Sequence, residues 1–434
     1  MDYKESLQYL EGLNVFGSKL GLSRIERLVA LLGHPESRYG TVHVTGTNGK
    51  GSVAAMTASI LSKSHRRTGL YISPHLTSYT ERMGIDGVPV SEADFAAVIS
   101  SAAEAAEKML AEGEEQPTEF EVLTAAAFLY FAEKKVDYAV IEVGLGGLLD
   151  STNVITPEVS VITNVALEHA DRCGGTLEGV AEHKAGIIKD GVPVVTAAAG
   201  APLAVLQRTA EEKGADIFVL GEDFSAKAAG HDAEGQRMDF SSALLGIREA
   251  RYTLSLAGSC QIANAALAVM AAELLRSSNP SIVQETIAAG LADTRWPGRF
   301  ERFSAAGRTV LVDGAHNPAG AAALKDSLDT YYPDEGRVFL LGILRDKDYK
   351  TMLATLLHKG DIVVITQPES ERAGDPEVLG ACARELAARV ETVPDAGEAL
   401  ARALELTDER RILCVAGSLY LIGEIRQMLL KRGT

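Results

Sequence analysis

The sequence predicts an α/β protein in which a larger unit with a mostly parallel sheet precedes a smaller α/β unit. Three observations carry that prediction. Short β-branched runs alternate with longer helical patterns through the first half of the chain. The alternation lapses near residue 221 and resumes after residue 296. The first of these strands ends in Gly46-Thr47-Asn48-Gly49-Lys50-Gly51-Ser52, three glycines within six residues, directly before a helical pattern.

In order, strands are expected at 41–45, 69–73, 138–143, 159–164 and 192–196. Helical patterns at 53–63, 94–110 and 121–134 separate several of them, as a parallel sheet requires. Residues 221–256 are rich in charge and small side chains and read as a short β excursion. Helices follow at 261–276 and 281–292. Arg295-Trp296-Pro297-Gly298-Arg299 reads as a junction, so the boundary falls between 1–295 and 296–434. Beyond it, strands are expected at 309–313, 338–341, 362–366 and 412–416. The accompanying helices are expected at 319–331, 349–357, 376–389, 396–404 and 420–431.

A length of 434 residues exceeds one ordinary core and agrees with two or more domains. The net charge of −17 argues against nucleic acid or an anionic membrane as a main partner. No apolar run reaches membrane-spanning length, and Met1-Asp2-Tyr3-Lys4-Glu5-Ser6 lacks the order of a signal peptide. Cys173, Cys260, Cys382 and Cys414 are far apart and suit a reducing cytoplasm.

The glycine loop has the layout of a phosphate cradle. Amides at a helix N-terminus face an anion, glycine permits close approach, and Lys50 adds a point charge. The Ser52 hydroxyl is placed for a magnesium ion on the same phosphates. Val44 stands where the common phosphate-loop pattern has its first glycine, so this is a shortened variant. The alternative is a glycine turn without a ligand.

Other polar groups fall at strand ends. Glu142 sits inside an apolar strand before Gly144, Gly146 and Gly147, a costly place unless it is paired with an arginine or a cation. Ser73 precedes Pro74-His75, which also suits a simple turn. His169 follows another strand, where a lone histidine is more often structural than a ligand. Lys184 lies in a helix-to-strand connection, where a solvated lysine is the plain reading. Asp313 and His316, in Asp313-Gly314-Ala315-His316-Asn317-Pro318, repeat the strand-then-polar-loop form and suit a ribose and a phosphate.

Taken in this order, the motifs resemble the Mur ligase superfamily and, within it, folylpolyglutamate synthase/dihydrofolate synthase. The resemblance runs from Tyr9-Leu10 and Gly21-Leu22-Ser23-Arg24-Ile25, through the loop at 45–52, to Ser73-Pro74-His75-Leu76 and Glu81-Arg82. It continues through Phe120-Glu121, Glu142 to Gly147, Leu149-Asp150-Ser151, Lys184-Ala185-Gly186, Gln261 to Asn264, Pro297-Gly298-Arg299, Asp313 to Pro318 and Asp346-Lys347-Asp348. It implies an ATP-binding Mur-ligase-like domain over 1–295 and a Rossmann-like glutamate-ligase domain over 296–434. Thr47, Asn48, Gly49, Lys50, Gly51 and Ser52 would hold the ATP phosphates. Asn264, Arg299, Asp313 and His316 would contact the nucleotide, with Lys50, Lys184 and His316 in catalytic roles. Ser52, Ser73, Glu142 and His169 would serve Mg2+, and Lys184 would be carbamylated. Gly21, Leu22, Ser23, Arg24, Thr118, Glu119, Phe120, Glu121, Leu149, Asp150 and Ser151 would meet the acceptor. Glu168, Leu148, Thr80 and Cys260 depart from the family's usual aspartate, arginine, asparagine and histidine.

The implied activity is ATP-dependent addition of L-glutamate to dihydropteroate or a reduced folate through an acyl phosphate, by a cytoplasmic monomer. The alternatives are a Mur-type ligase of a cell-wall nucleotide precursor, a nucleotide switch or phosphotransferase, and a non-catalytic nucleotide-binding relative.

Overall fold

The computed structural model describes residues 1–13, 20–168, 173–232 and 235–432. Two compact units emerge. One holds residues 1–229, 237–255 and 263–295; the other holds 230–236, 256–262 and 296–434.

The first unit begins with α1 (Tyr3–Leu13) and α2 (Ser23–Leu31), then β1 (Gly40–Thr45), α3 (Lys50–Lys63) and β2 (Thr68–Tyr71). A hairpin of β3 (Met83–Ile85) and β4 (Val88–Pro89) leads to α4 (Glu92–Ala111), α5 (Glu119–Glu133) and β5 (Tyr138–Glu142). The chain continues through β6 (Val159–Ile162), α6 (Leu177–Ala185), β7 (Val194–Thr196), α7 (Gly200–Glu212) and β8 (Ile217–Val219). These eight strands form one sheet in the order β4-β3-β2-β5-β1-β6-β7-β8. From β2 to β8 the pairs are parallel, and only the hairpin edge is antiparallel.

β1 lies between β5 and β6, so the sheet grows to both sides of it and its C-terminal end is a topological switch point. Every β1 residue after Gly40 is buried, as a central parallel strand requires. α3 is buried almost all round because it is covered by α9 (Gln284–Asp293) as well as by the sheet. Gly290 allows the close approach: a Cβ there would stand 2.5 Å from the Ile60 Cα.

The excursion expected at 221–256 is a three-stranded sheet of β9 (Ser225–Asp232), β10 (Gly235–Ser242) and β11 (Ile247–Leu254), followed by α8 (Cys260–Leu275).

The second unit's sheet is ordered β12-β13-β17-β14-β15-β16. Its elements in chain order are β12 (Glu301–Ala305), β13 (Arg308–Val312), α10 (Pro318–Tyr331), β14 (Gly336–Leu341), α11 (Tyr349–Leu356) and β15 (Ile362–Ile365). Then come α12 (Pro376–Arg384), β16 (Arg389–Thr392), α13 (Ala396–Leu406), β17 (Arg411–Ala416) and α14 (Leu419–Arg432). β12 is antiparallel to β13 and the other pairs are parallel. Leu324, Leu328, Met352 and Leu353 from its helices pack on Leu311, Phe339, Val363 and Cys414 from its strands.

One expected element is corrected. The helix read over 376–389 stops at Arg384, and Arg389–Thr392 forms the edge strand β16 beside β15. The Ala388 amide bonds to the Asp361 carbonyl, so pairing with the sheet overrides the local helical pattern.

Candidate functional site

The cradle begins where β1 ends. Gly46 and Gly49 both have positive φ, 151° and 85°. A Cβ at Gly46 would collide with Thr163 Oγ1, and one at Gly49 with the Asn264 carboxamide. Two of the residues read as nucleotide contacts, Gly49 and Asn264, are therefore neighbours. Side chains cap the starts of α4, α5, α6 and α10, but none caps α3, whose N-cap is Gly49. The start of α3 thus lacks a side-chain cap, as suits a helix N-terminus that faces an anion. Lys50 curls back, donating from Nζ to the carbonyls of Gly46 at 3.1 Å and Thr47 at 3.2 Å. Those are weak holds for a neutralising cation that a phosphate would draw away.

The loop after β6 holds the cradle in shape, a role the sequence reading did not assign. Asn164 donates to the Asn48 carbonyl at 2.9 Å and accepts from the Asn48 amide at 3.0 Å. Thr163 donates to the same carbonyl at 2.6 Å. Thr47 Oγ1 accepts from the Ala166 amide at 2.9 Å and donates to its carbonyl at 3.1 Å. A Thr-Asn pair at the end of a strand parallel to the cradle strand was the available signal.

Glu142 ends β5 with its side chain 5% exposed, and its Oε2 accepts from the Ser73 amide at 3.1 Å. Two residues read as metal ligands, 69 positions apart, thus meet. Ser52, Ser73 and Glu142 offer only oxygen, and hard, octahedral Mg2+ prefers oxygen and keeps several waters. His169 lies outside the described residues, and among those described no cluster of three acidic, histidine or cysteine side chains suits a metal.

Lys184 lies in the last turn of α6 and is buried. Burial and, secondarily, the Lys50 ammonium pull its pKa down to about 7. The amine is therefore substantially neutral at physiological pH. The two lysines read as catalytic come within electrostatic reach of one another.

The residues read as acceptor contacts cluster at two places. Thr118 and Glu121 form the capping box of α5, and Arg24 Nε sits 3.1 Å from both oxygens of the Glu121 carboxylate. Glu121 and Arg24 thus satisfy each other in the interior. Phe120 packs against Gly144, where a Cβ would meet its ring, and Glu119 accepts from Tyr79 Oη at 2.8 Å. Gly21 has φ 137° and leads through Leu22 and Ser23 into α2. The second cluster is Leu149-Asp150-Ser151, just after the glycines that follow β5. Asp150 is turned inward: its Oδ2 accepts from the Leu145 amide and its Oδ1 from Thr152. Burial raises its pKa against the pull of those bonds. Leu148 beside it is 44% exposed.

In the second unit, Asp313 follows β13. Its Oδ2 accepts from the Phe300 amide and its Oδ1 from the Ala315 amide, each at 2.9 Å. Burial raises its pKa, and the Arg299 guanidinium opposes the rise. Arg299 lies where a Cβ of Gly314 would be, so glycine is needed there. His316 donates from Nδ1 to the Gly314 carbonyl at 2.7 Å, which fixes the orientation of the ring against the turn. Asn317 caps α10 and Pro318 takes its first position. Arg299, Asp313 and His316 are thus one cluster.

The chain matches the family described as Mur ligase middle domain over residues 44–272, and Mur ligase, glutamate ligase domain over 298–419. A Bacillus subtilis protein named dihydrofolate synthase/folylpolyglutamate synthase is 34% identical over 436 residues, covering 98% of this chain and 99% of that protein. Mycobacterium tuberculosis folylpolyglutamate synthase complexed with ADP superposes with a TM-score of 0.89 at 33% identity over 99% of each chain. Escherichia coli FolC in complex with DHPP and ADP gives a TM-score of 0.88 at 29% identity, over 100% of this chain and 99% of that one. No helix among the described residues is long and apolar enough to cross a membrane.

Proposed function

Because the chain belongs to the Mur ligase family and its folylpolyglutamate synthase/dihydrofolate synthase branch, we propose that it is an ATP-dependent ligase joining L-glutamate to dihydropteroate, to the γ-carboxylate of reduced folates, or to both. The observation that carries this reading is the 34% identity to the Bacillus subtilis enzyme over 98% of the chain. The cell-wall alternative finds no such support.

The acceptor carboxylate attacks the γ-phosphorus of ATP, giving an acyl phosphate and ADP. The amine of L-glutamate then attacks the acyl carbon and phosphate leaves. Phosphoryl transfer of this kind depends on positioning and charge stabilisation. In this reading Thr47, Asn48 and the amides from Gly49 to Ser52 hold the phosphates. Lys50 moves from its loop carbonyls onto the transferring group. Asn264, Arg299, Asp313 and His316 contact the nucleotide. Ser52, Ser73 and Glu142, with His169, would hold Mg2+, which supplies charge neutralisation on the phosphates. The acceptor meets 21–24, 118–121 and 149–151. The stretch 1–295 serves ATP and 296–434 serves glutamate ligation, in a cytoplasmic monomer.

Lys184 is assigned as a carbamate. Its neutral amine attacks CO2, an N–C bond forms, and the released proton passes to solvent. The depressed pKa supports that step, because only the free amine reacts.

The test is ADP release from the full chain with MgATP, L-glutamate and either dihydropteroate or tetrahydrofolate. Release that requires both glutamate and an acceptor supports the reading. Release with neither, or none with either acceptor, overturns it.

A further inference from the structure

The geometry points to His43 as a positioning residue that sets the acceptor loop from the same strand that carries the phosphate cradle. His43 lies in the middle of β1 and is fully buried. Its Nε2 is 2.8 Å from Thr152 Oγ1, and that hydroxyl is 2.6 Å from Asp150 Oδ1. A hydroxyl has one proton. Thr152 donates it to the carboxylate and so accepts from His43, which fixes the Nε2–H tautomer. Asp150 Oδ2 takes the Leu145 amide at 2.8 Å. Two residues along β1, on the same face, Thr45 Oγ1 donates to the Gly146 carbonyl at 2.7 Å. Alternate side chains of one strand therefore grip the 145–152 loop at both ends.

Packing alone is a poor account of a histidine here. With the proton on Nε2, Nδ1 is a buried acceptor that has no partner among the described residues. An apolar side chain of similar size would remove that unmet acceptor and the desolvation it entails. Burial, with Lys189 nearby, holds the ring neutral with a pKa near 3, so the donor state persists across the working pH range. The chain from His43 through Thr152 keeps the Asp150 carboxylate inward. The intervening backbone then presents Leu149 and Ser151 in one arrangement. This inference rests on the acceptor assignment of 149–151 proposed above.

The experiment uses the full chain with His43→Leu and His43→Gln, the second retaining an N–H at the Nε2 position. His43→Leu is expected to raise KM for the better of dihydropteroate and tetrahydrofolate about tenfold, since small misplacements are costly in catalysis. KM for ATP should stay within about twofold, and Tm should equal or exceed the wild type. His43→Gln should restore the acceptor KM to within about threefold of wild type. An unchanged acceptor KM, or parallel losses in both KM values and Tm, overturns the assignment. Amide exchange is read alongside: Leu145 and Thr152 should exchange about tenfold faster in His43→Leu and recover in His43→Gln. A wild type that ligates neither acceptor overturns the proposed function. Unchanged exchange at those two amides overturns this inference whatever the ligase assay gives.

Discussion

Replacing Gly49 by alanine perturbs the nucleotide cradle at two points. The backbone there has φ 85°, a left-handed conformation that costs an ordinary residue roughly 1–2 kcal/mol. The new Cβ would also overlap the Asn264 carboxamide, so either Asn264 or the first turn of α3 must move. A total near 1–3 kcal/mol lowers Tm by a few degrees and leaves the protein folded. The nucleotide should register a larger effect, because the uncapped amides of α3 and Asn264 both shift. ADP affinity is expected to fall about 10- to 100-fold, equivalent to ~1.4–2.7 kcal/mol. Titration calorimetry with MgADP, beside thermal melts, measures both quantities. Gly87→Ala is the matched control: its φ is 78°, nothing lies within 4 Å of a Cβ there, and it sits in the β3–β4 turn. It should show the backbone cost with ADP binding unchanged. If Gly49→Ala binds ADP as tightly as wild type while losing the same Tm as Gly87→Ala, the cradle reasoning is wrong.

Three further outcomes follow from the geometry. Lys184, with its pKa lowered to about 7 in the fold, binds fewer protons than its unfolded counterpart between pH 7 and the ordinary lysine value, so stability should rise with pH across that window. Lys184→Met should abolish the rise and be more stable than wild type at pH 6 by roughly 2–4 kcal/mol, read by urea melts in bicarbonate-free buffer; equal pH profiles would contradict this. Glu121→Ala leaves the Thr118 cap but removes the reciprocal half of the α5 capping box and the buried partner of Arg24, and urea melts should show a loss of about 3–5 kcal/mol. Glu142→Gln can still accept from the Ser73 amide, so Tm should hold while the Mg2+ concentration for half-maximal activity rises about tenfold; an unchanged Mg2+ requirement would remove Glu142 from the metal site.

The strands and helices around the cradle were legible because each is long or fully buried. β1 alternates valine with threonine or histidine and is buried from Thr41 onward, and α3 follows a glycine loop whose chemistry repeats across phosphate sites. The edges of both sheets were harder. The β3–β4 hairpin escaped notice, although Asp86-Gly87 between apolar residues is a turn signal, and both residues have positive φ. β12 escaped in the same way behind Ala306-Gly307. β16 was absorbed into a helix because its four residues have little pattern of their own and are held by Asp361 and β15. At the site, single residues such as Lys50 and Glu142 could be named from sequence, but their partnerships could not. His43 meets Thr152 across 109 residues, and Asn48 meets Asn164 across 116. The inward turn of Asp150 and the mutual pairing of Arg24 and Glu121 follow from tertiary packing, to which local periodicity is blind.

The close seat of α9 on α3 has a consequence for synthesis. Ser59 Oγ bonds to the Gly290 carbonyl across 231 residues, and Ser64 and Arg66 reach Thr286 and Asn279. At roughly 5–20 residues per second, a ribosome needs ~10–45 s to deliver α9 after α3 has emerged. During that interval Val53, Met56, Ile60 and Leu61 cannot all be covered, and the nascent chain presents a sticky helix beside an unfinished sheet. A deletion that removes α9 should therefore produce inclusion bodies rather than a smaller soluble fragment.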